Sequence, residues 1–103
     1  MSGPPGHPPF EPEHAPSFAA ARALLGLSGA NFDYFFADIE RNRADYPWQG
    51  ATEVPDSGGI LMLPTKDGFP DLPPLYVYYR VNEHPNRIRF LGLSQAWSET
   101  EAV

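Results

Sequence analysis

No cysteine occurs in this chain, which removes disulfide cross-links and thiolate metal sites together. That absence fits a reducing compartment. Basic residues are scarce: seven stand against thirteen acidic ones, for a formal net charge of −6 and a pI near 4.8. Nucleic-acid-binding domains usually carry a basic surplus because phosphate contacts dominate their affinity, so the whole-chain balance argues against that class. Long apolar runs are missing as well. None approaches the roughly 20 residues a membrane helix needs, and no charged n-region followed by an apolar h-region opens the chain. A soluble cytoplasmic protein without a membrane partner is the expectation.

The usual catalytic motifs are absent: there is no GxxxxGK, GxSxG, HExxH or EF-hand loop. Ser57-Gly58-Gly59 is a glycine turn ahead of a strand rather than a phosphate loop, because no helix opens behind it. His7, His14 and His84 lie far apart and lack metal-ligand spacing, so neither a metal nor a cofactor is expected. Asp33, Asp38 and Glu40 read as a solvated helix face before they read as an acid/base pair.

What is present is a chain of 103 residues, long enough for one domain with a modest core. Residues 1–16 are dense in proline, which fixes φ and removes donors. Residues 1–9 are expected as a disordered leader, with Pro9–Glu13 able to lie along a sheet edge. Pro16 then opens a helix through FAAARALL, with Phe18, Ala21, Leu24 and Leu25 as its apolar stripe and Gly26 as its stop. A second helix, FDYFFADIERNR, is capped by Ser28 or Asn31. It places Phe32, Phe35, Phe36 and Ile39 at i, i+3, i+4 and i+7, with Asp33 near its positive end and Arg41 and Arg43 near its negative end. So short a connection makes the two helices antiparallel neighbours.

DYPWQG, residues 45–50, turns the chain, and Trp48 is expected as a lid over the helix–sheet core. GILMLPT, residues 59–65, is an apolar strand without alternation, so both its faces need covering. LYVYYRV and RIRFLGL form a hairpin over Leu75–Leu93, dense in aromatic and β-branched residues. Alternation puts Leu75, Val77, Tyr79, Val81, Ile88 and Phe90 on the core side, and Tyr76, Tyr78, Arg80, Arg87 and Arg89 on the other. Two registers fit. Pairing Val77 with Phe90 sets Arg80 opposite Arg87, and pairing Tyr79 with Phe90 sets Arg80 opposite Arg89. Either opposition of like charges costs stability unless an anion sits between them.

Helices grouped and then strands grouped predict an α+β fold, with a helical hairpin on one face of an antiparallel sheet of three to four strands. The domain is expected over residues 10–98, followed by a flexible acidic tail at 99–103. The other sheet face is a recognition surface if tyrosine rings stack and guanidinium forks grip phosphate or carboxylate. It is an ordinary exposed face otherwise.

The order of elements resembles the RelE/ParE superfamily of bacterial type II toxins, which have a leading strand, a helical hairpin and a closing antiparallel sheet. The residues that carry the likeness are FEPEHAPSFAAARALLGL, FADIERNRADYPWQGATEV and, above all, PPLYVYYRVNEHPNRIRFLGLS, together spanning about residues 10–97. The resemblance implies a divergent toxin neutralised by a cognate antitoxin and aimed at mRNA on the ribosome or at another protein. If the chain is an enzyme, the likeness implies a metal-independent endoribonuclease. The chain departs from the ribonuclease branch, carrying apolar ILMLPT where that branch has basic residues, and Tyr76 where it has an arginine. It also has Ser94, Gln95, Ala96 and Trp97 where basic residues, histidine and often tyrosine follow the last strand. Tyr76, Arg80 and Arg89 are the catalytic candidates, with Tyr78, Arg87, Lys66 and His84 as the other groups within reason. Ile60, Leu61, Met62 and Leu63 are the expected antitoxin-binding strand. A non-catalytic interaction module or homodimer through that strand is the rival, and a small-molecule binder beneath Trp48 and Trp97 a third.

Overall fold

A computed structural model describes residues 10–27, 29–65, 74–83 and 86–95. The expectations placed on the leader at 1–9, Ser28, Lys66, His84, Trp97 and the tail at 99–103 fall outside those residues.

The chain opens with a four-residue strand, β1 (Glu11–His14), followed by helix α1 (Pro16–Leu24) with proline in its first turn. The helix ends in a Schellman motif. Gly26 adopts φ 69°, its N–H donates to Ala23 O at 3.1 Å, and the Leu27 N–H donates to Arg22 O at 3.0 Å. Leu27 is thereby turned into the core. Leu24, expected on the apolar stripe, is instead 88% exposed. Capping geometry decided this, because the turn after Gly26 offers Leu27 to the interior in its place.

Helix α2 (Ala30–Asp45) begins one turn later. Gly29, rather than Asn31, is its N-cap, at φ 96° and with no side-chain cap hydrogen bond. Phe32, Phe35 and Phe36 are buried and Ile39 packs against them, as the i, i+3, i+4, i+7 spacing predicts. Phe18 meets Phe36 at 4.9 Å, while Arg22 lies 4.5 Å over the Phe32 ring and pairs with Asp33 at 2.9 Å. Contacts that rise along α1 as they fall along α2 are those of antiparallel neighbours.

The remaining strands are β2 (Thr52–Glu53), β3 (Leu61–Pro64), β4 (Leu75–Glu83) and β5 (Asn86–Gln95). They complete one five-stranded sheet in the order β1-β5-β4-β3-β2. The fold is α+β, but the sheet is mixed and larger than the three to four antiparallel strands expected. Two short segments account for the difference. β1 pairs in parallel with β5 from Glu11↔Arg87 to His14↔Phe90, and β2 adds two residues to the edge of β3. The proline-bearing segment expected along a sheet edge lies there as β1, but its parallel pairing was not expected, and a strand of two residues presents no alternation to read.

Within the β4–β5 hairpin the register is Tyr79↔Phe90, Arg80↔Arg89 and Val81↔Ile88, the second of the two that parity allowed. A bulge follows: Tyr78 pairs with Gly92, leaving Leu91 over. The extra residue resets parity, so that Leu93 pairs with Val77 and joins Ile88 and Phe90 in the core. Ser17 in the first turn of α1 donates to Leu91 O at 2.5 Å, tying the helix to the bulge.

Arg43, expected to solvate the negative end of α2, is 4% exposed. Its Nη1 donates to Tyr79 Oη at 3.2 Å and to the carbonyl of Gln49, and the Tyr79 hydroxyl donates to Pro47 O at 2.6 Å. A buried cation is therefore held by chain carbonyls, and it fixes the 46–50 turn against β4. Its Nε has no partner among the described residues. Burial pushes the Tyr79 phenol up from its ordinary value of 10.0, and the hydrogen bond and charge of Arg43 offset part of that.

Urea unfolding checks both the aromatic packing and the buried polar contacts. Phe36→Ala should cost about 3–5 kcal/mol through the cavity it leaves, while Leu24→Ala should stay within about 0.5 kcal/mol of the parent. Arg43→Ala should cost about 2–4 kcal/mol and Tyr79→Phe about 1–3 kcal/mol, because each strands a buried carbonyl. With a folded-state pKa above that of the unfolded chain, Tyr79 contributes stability that is full below pH 10 and lost as pH rises through the folded value. The fall in urea midpoint above pH 10 should therefore be smaller in Tyr79→Phe than in the parent.

Candidate functional site

The helices lie on the face of the sheet that carries Leu75, Val77, Tyr79, Ile88 and Phe90. Alternation then sets Tyr76, Tyr78 and Arg80 of β4 and Arg87 and Arg89 of β5 on the opposite face, as expected. The three arginines are exposed and the two tyrosines half-buried. Past the bulge, Gly92 and Ser94 of β5 stand on this face too, and Tyr78 Oη lies 2.9 Å from Ser94 Oγ. Part of Tyr78's polar capacity is thus already used.

The anion that the facing arginines call for comes from the chain itself. Glu13 on β1 is in register with Arg89, and its two oxygens are shared between neighbours on β5. Oε1 accepts from Arg87 Nη1 and Oε2 is ion-paired with Arg89 Nε, each at 3.2 Å. Arg80, directly across the ladder from Arg89, has no carboxylate within ion-pair distance among the described residues. Its one contact there is a long 3.5 Å bond to Ser57 O. Glu13, Arg80, Asn82, Arg87 and Arg89 line a common depression of about 350 Å³.

Glu13 is the participant that sequence reasoning missed. The signal was present in the alternation of Glu11 and Glu13 along FEPEH, which puts both acids on one strand face. What could not be seen was the strand those acids would lie beside. His14, weighed in the sequence only as a metal ligand, has a different place. It points to the helix side, ringed by Phe18, Phe36 and Phe90, with Nε2 2.6 Å from Glu40 Oε2. Asp33 and Asp38 pair with Arg22 and Arg41, so the three α2 acids singled out in the sequence are each held by a basic partner.

The apolar strand is less available than its sequence suggested. Leu61 is buried in the core and Leu63 packs against it, while Ile60 and Met62 are half-buried. β2 occupies the outer edge of β3 at Leu61 and Met62. The neighbouring turn closes through Ser57, whose hydroxyl donates to Val54 O at 2.6 Å and accepts from Ile60 N at 3.0 Å. Trp48 packs edge-on against Phe10 with ring centroids 5.9 Å apart and keeps half its surface exposed, a lid over the start of β1.

No group of three or more histidine or acidic side chains among the described residues could hold a metal ion. No helix among them is long and apolar enough to cross a membrane. No family model matches the chain, and neither a curated protein nor a solved structure matches it. The chemistry of the face therefore has to be read from its own residues: three permanent cations, the carboxylate of Glu13 between two of them, that of Glu11 on the same face of β1, and two phenols. That set binds anions and stacks on flat groups.

The bridge itself is partly exposed at all three side chains, which limits its worth. Glu13→Gln should destabilise the fold by no more than about 1 kcal/mol at low salt, and the difference should vanish near 1 M salt. Chemical denaturation at the two ionic strengths measures it.

Proposed function

We propose that this chain is the toxin-family component of a type II toxin–antitoxin system, similar to the RelE/ParE superfamily, and that it acts in the cytoplasm. Its target, RNA or protein, is bound through the sheet face bearing Tyr76, Tyr78, Arg80, Arg87 and Arg89. The arrangement of elements supports this reading: a leading strand, an antiparallel helix pair and a closing set of antiparallel strands, with one sheet face turned away from the helices. The observation that carries it is Arg80, an exposed guanidinium set against Arg89 without a carboxylate of its own among the described residues.

Binding fits this face better than cutting. Cleavage of RNA requires a base for the 2′-hydroxyl, an acid for the leaving group and cations for the phosphate. The face supplies the cations, but arginine does not deprotonate, Arg87 and Arg89 are engaged by Glu13, and Tyr78 is engaged by Ser94. The one described histidine faces the helices. An antitoxin segment would lie over Ile60, Met62 and Leu63, whose side chains are half-buried, rather than over Leu61. The second reading, a non-catalytic interaction module or homodimer, draws on those same three residues and on the net charge of −6.

Induced expression separates the two. Growth arrest relieved by Arg80→Ala, and by co-expression of the protein encoded beside this one, is the outcome expected of a toxin. Harmless expression, with ribosome-bound mRNA left intact, would favour the interaction module.

A further inference from the structure

The arrangement around Glu13 goes one step beyond target binding and concerns how the face is held ready, so it rests on the reading that this face is the binding site. Three guanidinium groups border one depression of about 350 Å³, and among the described residues Glu13 is the carboxylate that lines it with them. That carboxylate is a bound oxyanion already in place. It comes from the edge strand β1 and divides its oxygens between the two arginines of β5: Arg87 donates one N–H to it and Arg89 is ion-paired with it, each at 3.2 Å. Neither contact is the two-bond fork that arginine and carboxylate form when they are matched. Among the described residues most of the donors therefore remain unspent, and Arg80 spends one on a distant carbonyl. The side chains of Glu13, Arg87 and Arg89 are 39%, 48% and 53% exposed, so water screens the bridge and exchanging it costs little.

We propose that Arg80, Arg87 and Arg89 form an oxyanion site for a phosphate group, and that Glu13 is its internal competitor, occupying the site until a phosphate displaces it. Three features support the assignment. A planar carboxylate reaches two of the three guanidinium groups, whereas a tetrahedral phosphate presents a further oxygen toward Arg80. A phosphate also brings more negative charge than Glu13 supplies, against three positive charges. Finally, an acid on the neighbouring strand answers the like-charge opposition of Arg80 and Arg89 in the empty site, which otherwise destabilises the hairpin. Glu13 thus stabilises the unliganded sheet and lowers its affinity for anions, and one charge performs both tasks.

Titration of the full chain with inorganic pyrophosphate, followed through the Nε–H resonances of Arg87 and Arg89, tests this. The parent should bind weakly, and Glu13→Gln should bind about tenfold tighter or more, as removal of one nearby competing charge predicts. Asp38→Asn, which removes the same charge from α2, should leave the affinity at the parent value, and adding Arg80→Ala to Glu13→Gln should abolish the gain. The amide spectrum of Glu13→Gln reports whether β1 stays docked. If it does not, Arg80→Ala in the parent background carries the test, and unchanged pyrophosphate affinity there overturns the proposal. Equal affinity in parent and docked Glu13→Gln overturns it too, as does an equal response to acetate or sodium chloride at matched ionic strength. Growth arrest in the expression assay is independent of this titration. A harmless protein that still shows the Glu13 effect would refute the toxin reading alone, and a toxic one without it would refute the competitor alone.

Discussion

The packing of Phe90 is the constraint on which the rest of the molecule depends. The side chain is fully buried, and its ring meets Phe36 at 4.8 Å, Tyr79 and His14 at 5.8 Å, and Phe18 at 6.1 Å. Those neighbours come from β1, α1, α2 and β4. Its carbonyl accepts the Ala15 N–H at 2.9 Å, which fixes where β1 passes into α1. Buried aromatic contacts of this kind stabilise through both area and geometry, so one residue in β5 sets the position of four elements at once. Directly after it comes Leu91, the extra residue of the bulge, held by Ser17. The last strand thus lies at the interior of the sheet, with β1 on one side and β4 on the other.

The arginine face follows from that placement. Once Phe90 points to the helices, Arg89 must point away from them, and the antiparallel ladder brings Arg80 opposite. Once β1 runs beside β5 with His14 against Phe90, Glu13 must stand beside Arg89. The electrostatics of the face are thus a consequence of core packing, with side chains on alternate sides of each strand enforcing it. Like charges brought together in this way are tolerable because they are exposed and because Glu13 answers two of the three.

A buried polar arrangement sits at the far end of α2, where Arg43 holds the 46–50 turn through carbonyl groups and the Tyr79 hydroxyl. It gives the loop before β2 a defined course and leaves Trp48 resting on Phe10. A guanidinium suits this role because its rigid fork reaches several carbonyls that a single ammonium could not.

Local patterns were legible in the chain itself. The phenylalanine spacing of α2, the glycine stop after α1, the two-faced hairpin and the clustering of Tyr76, Tyr78, Arg80, Arg87 and Arg89 all follow from periods of 3.6 and 2 or from glycine's freedom at positive φ. The tertiary structure alone decided what those patterns meet. It chose between two registers that parity left equal, added a bulge that returned Leu93 to the core, and drew Arg43 inward and left Leu24 in water. It also brought a proline-bearing edge strand alongside Arg87 and Arg89, 74 positions from Glu13 for the Arg87 contact. Periodicity describes which way a side chain points from its own strand. Which charge stands opposite is a property of two strands, and it is settled only when the core between them is packed.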